Sequence, residues 1–214
     1  GLLGARTRID GRGSFDPAGT VDLSGLVIDA ERMRAEVAGI VADGGIAFDW
    51  SLSLPDLASA DPALAGTVAA SGNVSGPLDQ PTAEASLTAT DVVAAGRSVP
   101  EARLDLTVRN LLAAPAGSVR IEATVEGMPA RAEADFDRAP DGTTAVDGLS
   151  VAFGSLDLAG SLRLEPTGLV SGTIAGGVGN LADFSGLAGQ PLAGSADLDI
   201  ALSATDGRQR VEAG

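Results

Sequence analysis

The sequence has no cysteine, histidine, lysine or tyrosine, one tryptophan (Trp50) and five phenylalanines in 214 residues. Each absence removes a class of chemistry. Without cysteine there is no disulfide framework and no thiol nucleophile, and the redox compartment stays open. Without histidine and lysine, imidazole acid–base work, Schiff-base chemistry and nearly all zinc sites are excluded. A serine nucleophile would have no base beside it. An enzyme is therefore not expected. The shortage of rings also bears on folding, because large aromatic anchors dominate most compact cores. An interior of Ala, Val, Leu and Gly is expected to be thin, extended and repetitive, although 44% of the chain is hydrophobic.

Positive charge is scarce as well. Twenty-nine acids face fourteen bases, all arginine, giving a net charge of −15 and an isoelectric point near 4.2. Such a surface repels phosphates, so neither nucleic acid nor an anionic membrane surface is expected as a partner. Long apolar runs are missing too: none approaches the ~18 residues of a membrane helix. The start, GLLGARTRID, carries no initiating Met, basic n-region or cleavage-like segment. It reads as mid-protein, with any signal or anchor expected outside this chain.

What the chain does have is period-two alternation. IAFDWSLSL puts Ile46, Phe48, Trp50, Leu52 and Leu54 on one face. ARLDLTVRN turns Ala102, Leu104, Leu106 and Val108 inward, and Arg103, Asp105, Thr107 and Arg109 outward. SVRIEATVEG sets Val119, Ile121, Ala123 and Val125 against Arg120, Glu122, Thr124 and Glu126. RAEADFD, LSVAF and LRL continue the pattern. Turn phrases separate the runs: DGR, DGG, AAGR, APDG, EPTG and TDGR. This is the rhythm of an antiparallel meander with one apolar face. A charged residue on nearly every strand excludes a parallel sheet covered on both sides. The single apolar face must close into a barrel, pack on a second sheet, or curl around a ligand.

Two segments read as short helices: 55–66, with Asp56 at its start, Gly66 as its stop and Pro62 limiting its length, and 180–194, capped by Asn180. They belong to a loose internal repeat. GLVIDAERMRAEV (25–37) aligns with GLSVAFGSLDLAG (148–160), and Gly44, Ile46 and Trp50 align with Gly168, Val170 and Ile174. Residues 1–214 are thus expected to form one elongated repetitive β domain, with a repeat unit at 20–144 and a second, truncated one at 145–214. The strand 195–203 is expected to find its next partner beyond residue 214.

Chemical motifs are weak. The acid groups Glu133/Asp135/Asp137 and Asp197/Asp199 lie on outward faces and read as solvated, not as a glycosidase pair. GVGNLA (177–182) matches a dinucleotide fingerprint, but Gly186, Gly189 and Pro191 break the helix that must follow. GGVGNLADF approaches a calcium-binding nonapeptide, with Leu181 where Asp is needed and no tandem copy. No cofactor and no metal are expected.

The cadence of residues 64–110 carries a resemblance. A strand leads into G-x-V-x-G-P-L-D-x-P (Gly72, Val74, Gly76, Pro77, Leu78, Asp79, Pro81), then A-x-L-x-A-x-D-V, then a turn with AGR. Together with NLADFSGLAGQPLAGSADLDIAL (180–202), this resembles the TamB and wider AsmA-like family, to which the inner-membrane component of the translocation and assembly module belongs. The resemblance implies a long, mostly antiparallel sheet curled into an open, taco-like trough with an apolar interior and one or two short helices. It implies a periplasmic segment of an envelope-spanning protein, anchored in the inner membrane of a diderm bacterium. It further implies a bridge-like lipid transfer protein that moves phospholipid to the outer membrane, and an Omp85-type outer-membrane barrel as partner. No catalytic residue is implied. About a dozen strands ~4.8 Å apart would make a trough on the order of 60 Å long, enough for several acyl chains.

The candidate lining residues are Ile46, Phe48, Trp50 and Leu52; Leu87; Leu104, Leu106 and Val108; Val119, Ile121 and Val125; Phe136; Val151 and Phe153; and Leu198, Ile200 and Leu202. Three readings follow. The chain shields phospholipid acyl chains for inner-to-outer membrane transport. Alternatively it is a scaffold or chaperone for outer-membrane β-barrel or autotransporter assembly, pairing its exposed strand edges with clients or with copies of itself. The third reading, a surface adhesin stalk built as a solenoid, needs a rung repeat of about 20–30 residues, far shorter than the one present.

Overall fold

The computed structural model describes residues 6–17, 19–94, 96–205 and 207–214, apart from the side chain of Thr205. It is all-β. Fourteen strands follow one another: β1 (Thr7–Phe15), β2 (Val21–Ala30), β3 (Arg34–Ala42), β4 (Gly45–Leu54), β5 (Leu64–Pro77), β6 (Thr82–Ala94), β7 (Arg97–Arg109), β8 (Ala116–Val125), β9 (Met128–Arg138), β10 (Thr144–Phe153), β11 (Leu156–Leu164), β12 (Val170–Val178), β13 (Ala196–Thr205) and β14 (Arg208–Ala213). They form one sheet in chain order, and β1 and β14 are not neighbours, so the sheet is unclosed. The expected class, an antiparallel meander with short helices, is the observed one. Short turns dictate it, since two-residue connections can join only antiparallel strands. At the β3–β4 turn, Asp43 and Gly44 have φ of 51° and 74°. That is the pair of left-handed residues whose twist suits a tight hairpin.

The chain divides into two compact units: residues 1–113 with 123–126, and residues 114–122 with 127–214. In the first, β1 to β7 pair in register, with bulges at Arg12/Gly13, Leu23/Leu26 and Ala65/Thr67. In the second, β9 to β14 pair in register, with bulges at Val146/Leu149 on one side of β10 and Asp147/Ser150 on the other. Bulges bend a strand and raise its twist, so each unit carries built-in curvature.

Local structure recurs along the chain. The series β2, β3, β4, 3-10 turn, β5 has the same order as β10, β11, β12, 3-10 turn, β13. The bulge at Leu23/Leu26 has its counterpart at Val146/Leu149, 123 residues on. The 3-10 turns Leu57–Ser59 and Leu181–Phe184 are both capped by a side-chain oxygen, that of Asp56 on Ala58 N–H and that of Asn180 on Ala182 N–H. A short α-helix, Ser185–Ala188, follows the second turn.

Three expectations need correction. Asp10-Gly11-Arg12 is not a turn but the middle of β1, where Gly11 sits opposite Leu26. Gly66 does not stop a helix; it lies in β5 beside the bulge, at φ 104°. The strand around 195–203 is paired within the chain, because Arg208–Ala213 turns back onto it as β14. That last strand was hard to see, since its alternation (Arg208, Gln209, Arg210, Val211, Glu212) offers one large apolar residue.

Glycines inside strands give the apolar side its form. Trp50 faces Gly72 across β4–β5, and Phe48 faces Gly39 across β3–β4. A Cβ on Gly72 would meet the indole at 2.7 Å and the Glu84 carbonyl oxygen at 2.2 Å, and one on Gly39 would meet the Phe48 ring at 2.6 Å. Both rings therefore lie over neighbouring backbone, which shelters the weak glycine positions. Gly72→Val is expected to lower stability in urea unfolding by about 1–3 kcal/mol through overpacking. Ser71→Ala, on the opposite face, is expected to stay within about 0.5 kcal/mol.

Candidate functional site

Register turns the alternation of single strands into rows that cross the sheet. In the first unit three rows traverse seven strands: Ile9–Ile28–Ala35–Leu52–Ala70–Leu87–Leu104, Gly11–Leu26–Val37–Trp50–Gly72–Ala85–Leu106, and Gly13–Leu23–Gly39–Phe48–Val74–Ala83–Val108. No polar side chain interrupts them. Seven strands at ~4.8 Å spacing make these rows about 30 Å long. Ile46 lies on the same face, opposite Val41 and Gly76.

The second unit repeats the plan. One row is Phe136–Val146–Leu162–Gly172–Leu202–Val211, a second Ala132–Val151–Leu158–Gly176–Leu198, a third Leu149–Gly160–Ile174–Ile200–Ala213. A fourth, Ala130–Phe153–Leu156–Val178–Ala196, ends them on one side. In two of these rows leucines flank a glycine, Leu162 and Leu202 at Gly172 and Leu158 and Leu198 at Gly176. Of the candidate lining residues, those on β4, β6 and β7 fall together in the first unit, and those on β9, β10 and β13 in the second. Val119, Ile121 and Val125 alternate along β8, where Val119 and Val125 are half-buried and Ile121 is 38% exposed.

Little of this surface is covered by protein. Among the described residues the only buried hydrophobic side chains are Ala89 and Val108, each 8% exposed, and no large side chain is fully buried. Trp50, Phe48, Leu87, Leu104, Leu106, Ile200 and Leu202 are all half-buried. The chain exposes 12850 Å², against about 9,000 Å² for a compact chain of its mass. Folding has aligned the apolar side chains without enclosing them.

The other face carries the charge. Arg34 pairs with Glu36 at 2.7 Å, Arg103 with Asp105 at 2.7 Å and Arg210 with Glu212 at 2.7 Å, each two residues apart on one strand, and Arg8 pairs with Asp10 in the same way. Arg120–Glu133 and Arg131–Glu122 link β8 to β9. Exposed pairs of this kind contribute little to stability; their effect is to keep this face wet. Hydrogen bonds from Arg8 to Asp10 and from Arg34 to Glu36 raise both guanidinium pKa values. The backbone N–H and hydroxyl of Thr143 hold the Asp141 carboxyl below its ordinary range. No acidic residue falls in the apolar rows, and no group of three or more potential metal ligands occurs among the described residues.

One polar residue on the apolar side escaped the sequence reading. Gln209 stands opposite Ala204 on β14, yet its amide reaches past β13 to β12. Its Oε1 accepts from Val170 N–H at 2.8 Å, and its Nε2 donates to Val170 O at 2.7 Å and Ser203 O at 3.2 Å. The side chain substitutes for a missing stretch of β12–β13 ladder, which begins at Gly172.

The profile of the family described as TamB, N-terminal domain, matches residues 2–131, more than half of the chain. The chain belongs to the TamB family. The matched region runs from β1 into β9. The remaining strands of this TamB-family chain carry apolar rows of the same kind. Family membership makes it an envelope protein with a role in outer-membrane biogenesis, in a family that works with an outer-membrane partner. No curated protein and no solved structure matches the chain. No helix among the described residues is long and apolar enough to cross a membrane.

Gln209→Leu is expected to speed amide hydrogen exchange at Val170 about 5- to 10-fold, the loss of about one net hydrogen bond, with little change at Ile174. Unchanged exchange at Val170 would show that the side-chain bridge is not populated.

Proposed function

We propose that the apolar rows shelter phospholipid acyl chains, and that this chain is a periplasmic segment of an inner-membrane-anchored protein carrying lipid toward the outer membrane. The observation that supports this reading is the uncovered face: three unbroken apolar rows across seven strands, with almost no buried side chain among them. Each 100 Å² of apolar surface left wet forgoes about 2.5 kcal/mol of transfer free energy. A fold that aligns so much of it invites a cover, and acyl chains supply one without needing hydrogen bonds. The charged face keeps the opposite side in water. Small residues and glycines between the leucines leave shallow channels in which a methylene chain fits. The role is one of binding and carriage, with no catalytic residue assigned and an Omp85-type barrel as the outer-membrane partner. The recurring series of elements suggests a modular surface, one unit at 20–144 and the next beginning at 145, that lengthens by repetition.

A second reading is supported by the ends of the sheet. β1 and β14 each have one neighbour, and every residue described in them is exposed. Free strand edges pair with other strands, as a scaffold for outer-membrane proteins requires.

Photocrosslinking separates the two. A benzophenone side chain in place of Leu106 is expected to capture phospholipid from neutral phosphatidylcholine vesicles, whereas one in place of Thr107, one residue along and facing the other way, is expected to capture at least fivefold less. Equal capture at both positions, or protein adducts alone, would overturn the acyl-chain reading. The lone Trp50 gives an independent readout: its emission is expected to shift to the blue when a fatty acid occupies the face.

A further inference from the structure

In the second unit one side of the apolar face is not open. Between β12 and β13 the chain spends residues 179–195, against residues 55–63 for the corresponding link between β4 and β5. The longer link is a closed loop. Leu181 N–H donates to Gly194 O at 2.8 Å, so its two ends meet. Its start is fixed to the β10–β11 turn. Gly179 N–H donates to Ser155 O at 2.9 Å, Asn180 N–H to Ser155 Oγ at 3.2 Å, and Ser155 Oγ in turn to Asn180 O at 2.9 Å. Inside it, Leu192 N–H donates to Ser185 Oγ at 2.9 Å.

Leu181, Phe184, Leu187 and Leu192 are half-buried while most of their neighbours are exposed. The Phe184 ring meets Phe153 edge-on, centroids 5.7 Å apart. A Cβ on Gly154 would come within 3.6 Å of Phe184 Cζ and 3.2 Å of Met128 Sδ, so ring, sulfur and turn converge there. Phe153 belongs to the last apolar row, opposite Leu156 and Ala130. Two of the five phenylalanines are thus spent at this one margin. In the first unit Ala30 stands at the position corresponding to Phe153, 123 residues earlier, and the shorter link contains no aromatic residue.

We propose that the 181–194 loop is a side wall that retains an apolar chain on the second unit's face, with Phe184 as its positioning residue. The corresponding link of the first unit is too short to form such a wall and has no ring to anchor it. This rests on the acyl-chain reading and assigns a specific margin of the face to holding the ligand in. The wall keeps water and the ligand tail from passing over the β10–β11 end, and it leaves the far ends of the same strands accessible.

The absence of native cysteine makes the test direct. In the full chain, Leu156→Cys lies opposite Phe153, the residue that Phe184 meets, and Leu162→Cys near the other end of β11. Adding Phe184→Ala is expected to speed labelling of the Leu156→Cys variant by a charged maleimide at least fivefold, and to leave the Leu162→Cys variant within twofold. Phe184→Leu, which restores bulk without a ring, is expected to return most of the protection. Ser155→Ala, which removes the two Oγ hydrogen bonds of the loop's anchor without touching its apolar contacts, serves where Phe184→Ala does not fold, and it too is expected to accelerate labelling. The same variants are then loaded with cis-parinaric acid, a fluorescent fatty acid, and its release is timed. Faster release from Phe184→Ala than from the unmodified chain supports the wall. Uptake with unchanged release and unchanged labelling overturns the wall and leaves the acyl-chain reading standing. No uptake by the unmodified chain overturns that reading, and with it the wall's role toward a ligand.

Discussion

The structure depends on one constraint: in each unit the sheet has an apolar face that the chain itself does not cover. An ordinary domain of this length would fold a second layer over that face. Here, among the described residues, the two buried hydrophobic side chains, Ala89 and Val108, are the nearest approach to a core. Cohesion therefore comes from the ladder hydrogen bonds and from cross-strand contacts along the rows, each modest and many in number. A sheet held in this way keeps its apolar side available, as a carrier of acyl chains requires and a self-sufficient globular protein does not.

The poverty of aromatic residues and the wealth of glycine follow from the same constraint. A wide ring needs a neighbour that yields space, and Trp50 and Phe48 find it over Gly72 and Gly39. In the second unit Leu162 and Leu202 flank Gly172, and Leu158 and Leu198 flank Gly176, so β12 is low at these two positions, with Ile174 standing between them. More large residues would fill these channels with protein. Fewer would leave nothing apolar to bind. Ion pairs lie on the opposite face, where Arg34–Glu36 and Arg103–Asp105 sit two residues apart on single strands.

Most of the fold was legible because period-two alternation is a local signal. Each run such as IAFDWSLSL declares its own two faces, and turn phrases such as APDG and EPTG mark where it ends. The capped 3-10 turns at Asp56 and Asn180 were legible for the same reason. The misses arise where local pattern is weak or meaning is long-range. Asp10-Gly11-Arg12 has turn composition, but pairing with β2 keeps it extended. β14 has one large apolar residue in its row, Val211, and is held partly by Gln209, whose role appears only when β12 lies two strands away. The rows themselves, and the packing of Phe184 on Phe153, require register that no single strand contains.

The central claim is that apolar ligand, not protein, covers this face. Its most direct test is to purify the chain from cells without detergent, extract it with organic solvent and quantify lipid by mass spectrometry. The account predicts at least one phospholipid per chain, enriched over a β-protein of equal charge purified in parallel, and a fall in melting temperature when that lipid is stripped. A lipid-free chain whose stability does not respond to added phospholipid would contradict it.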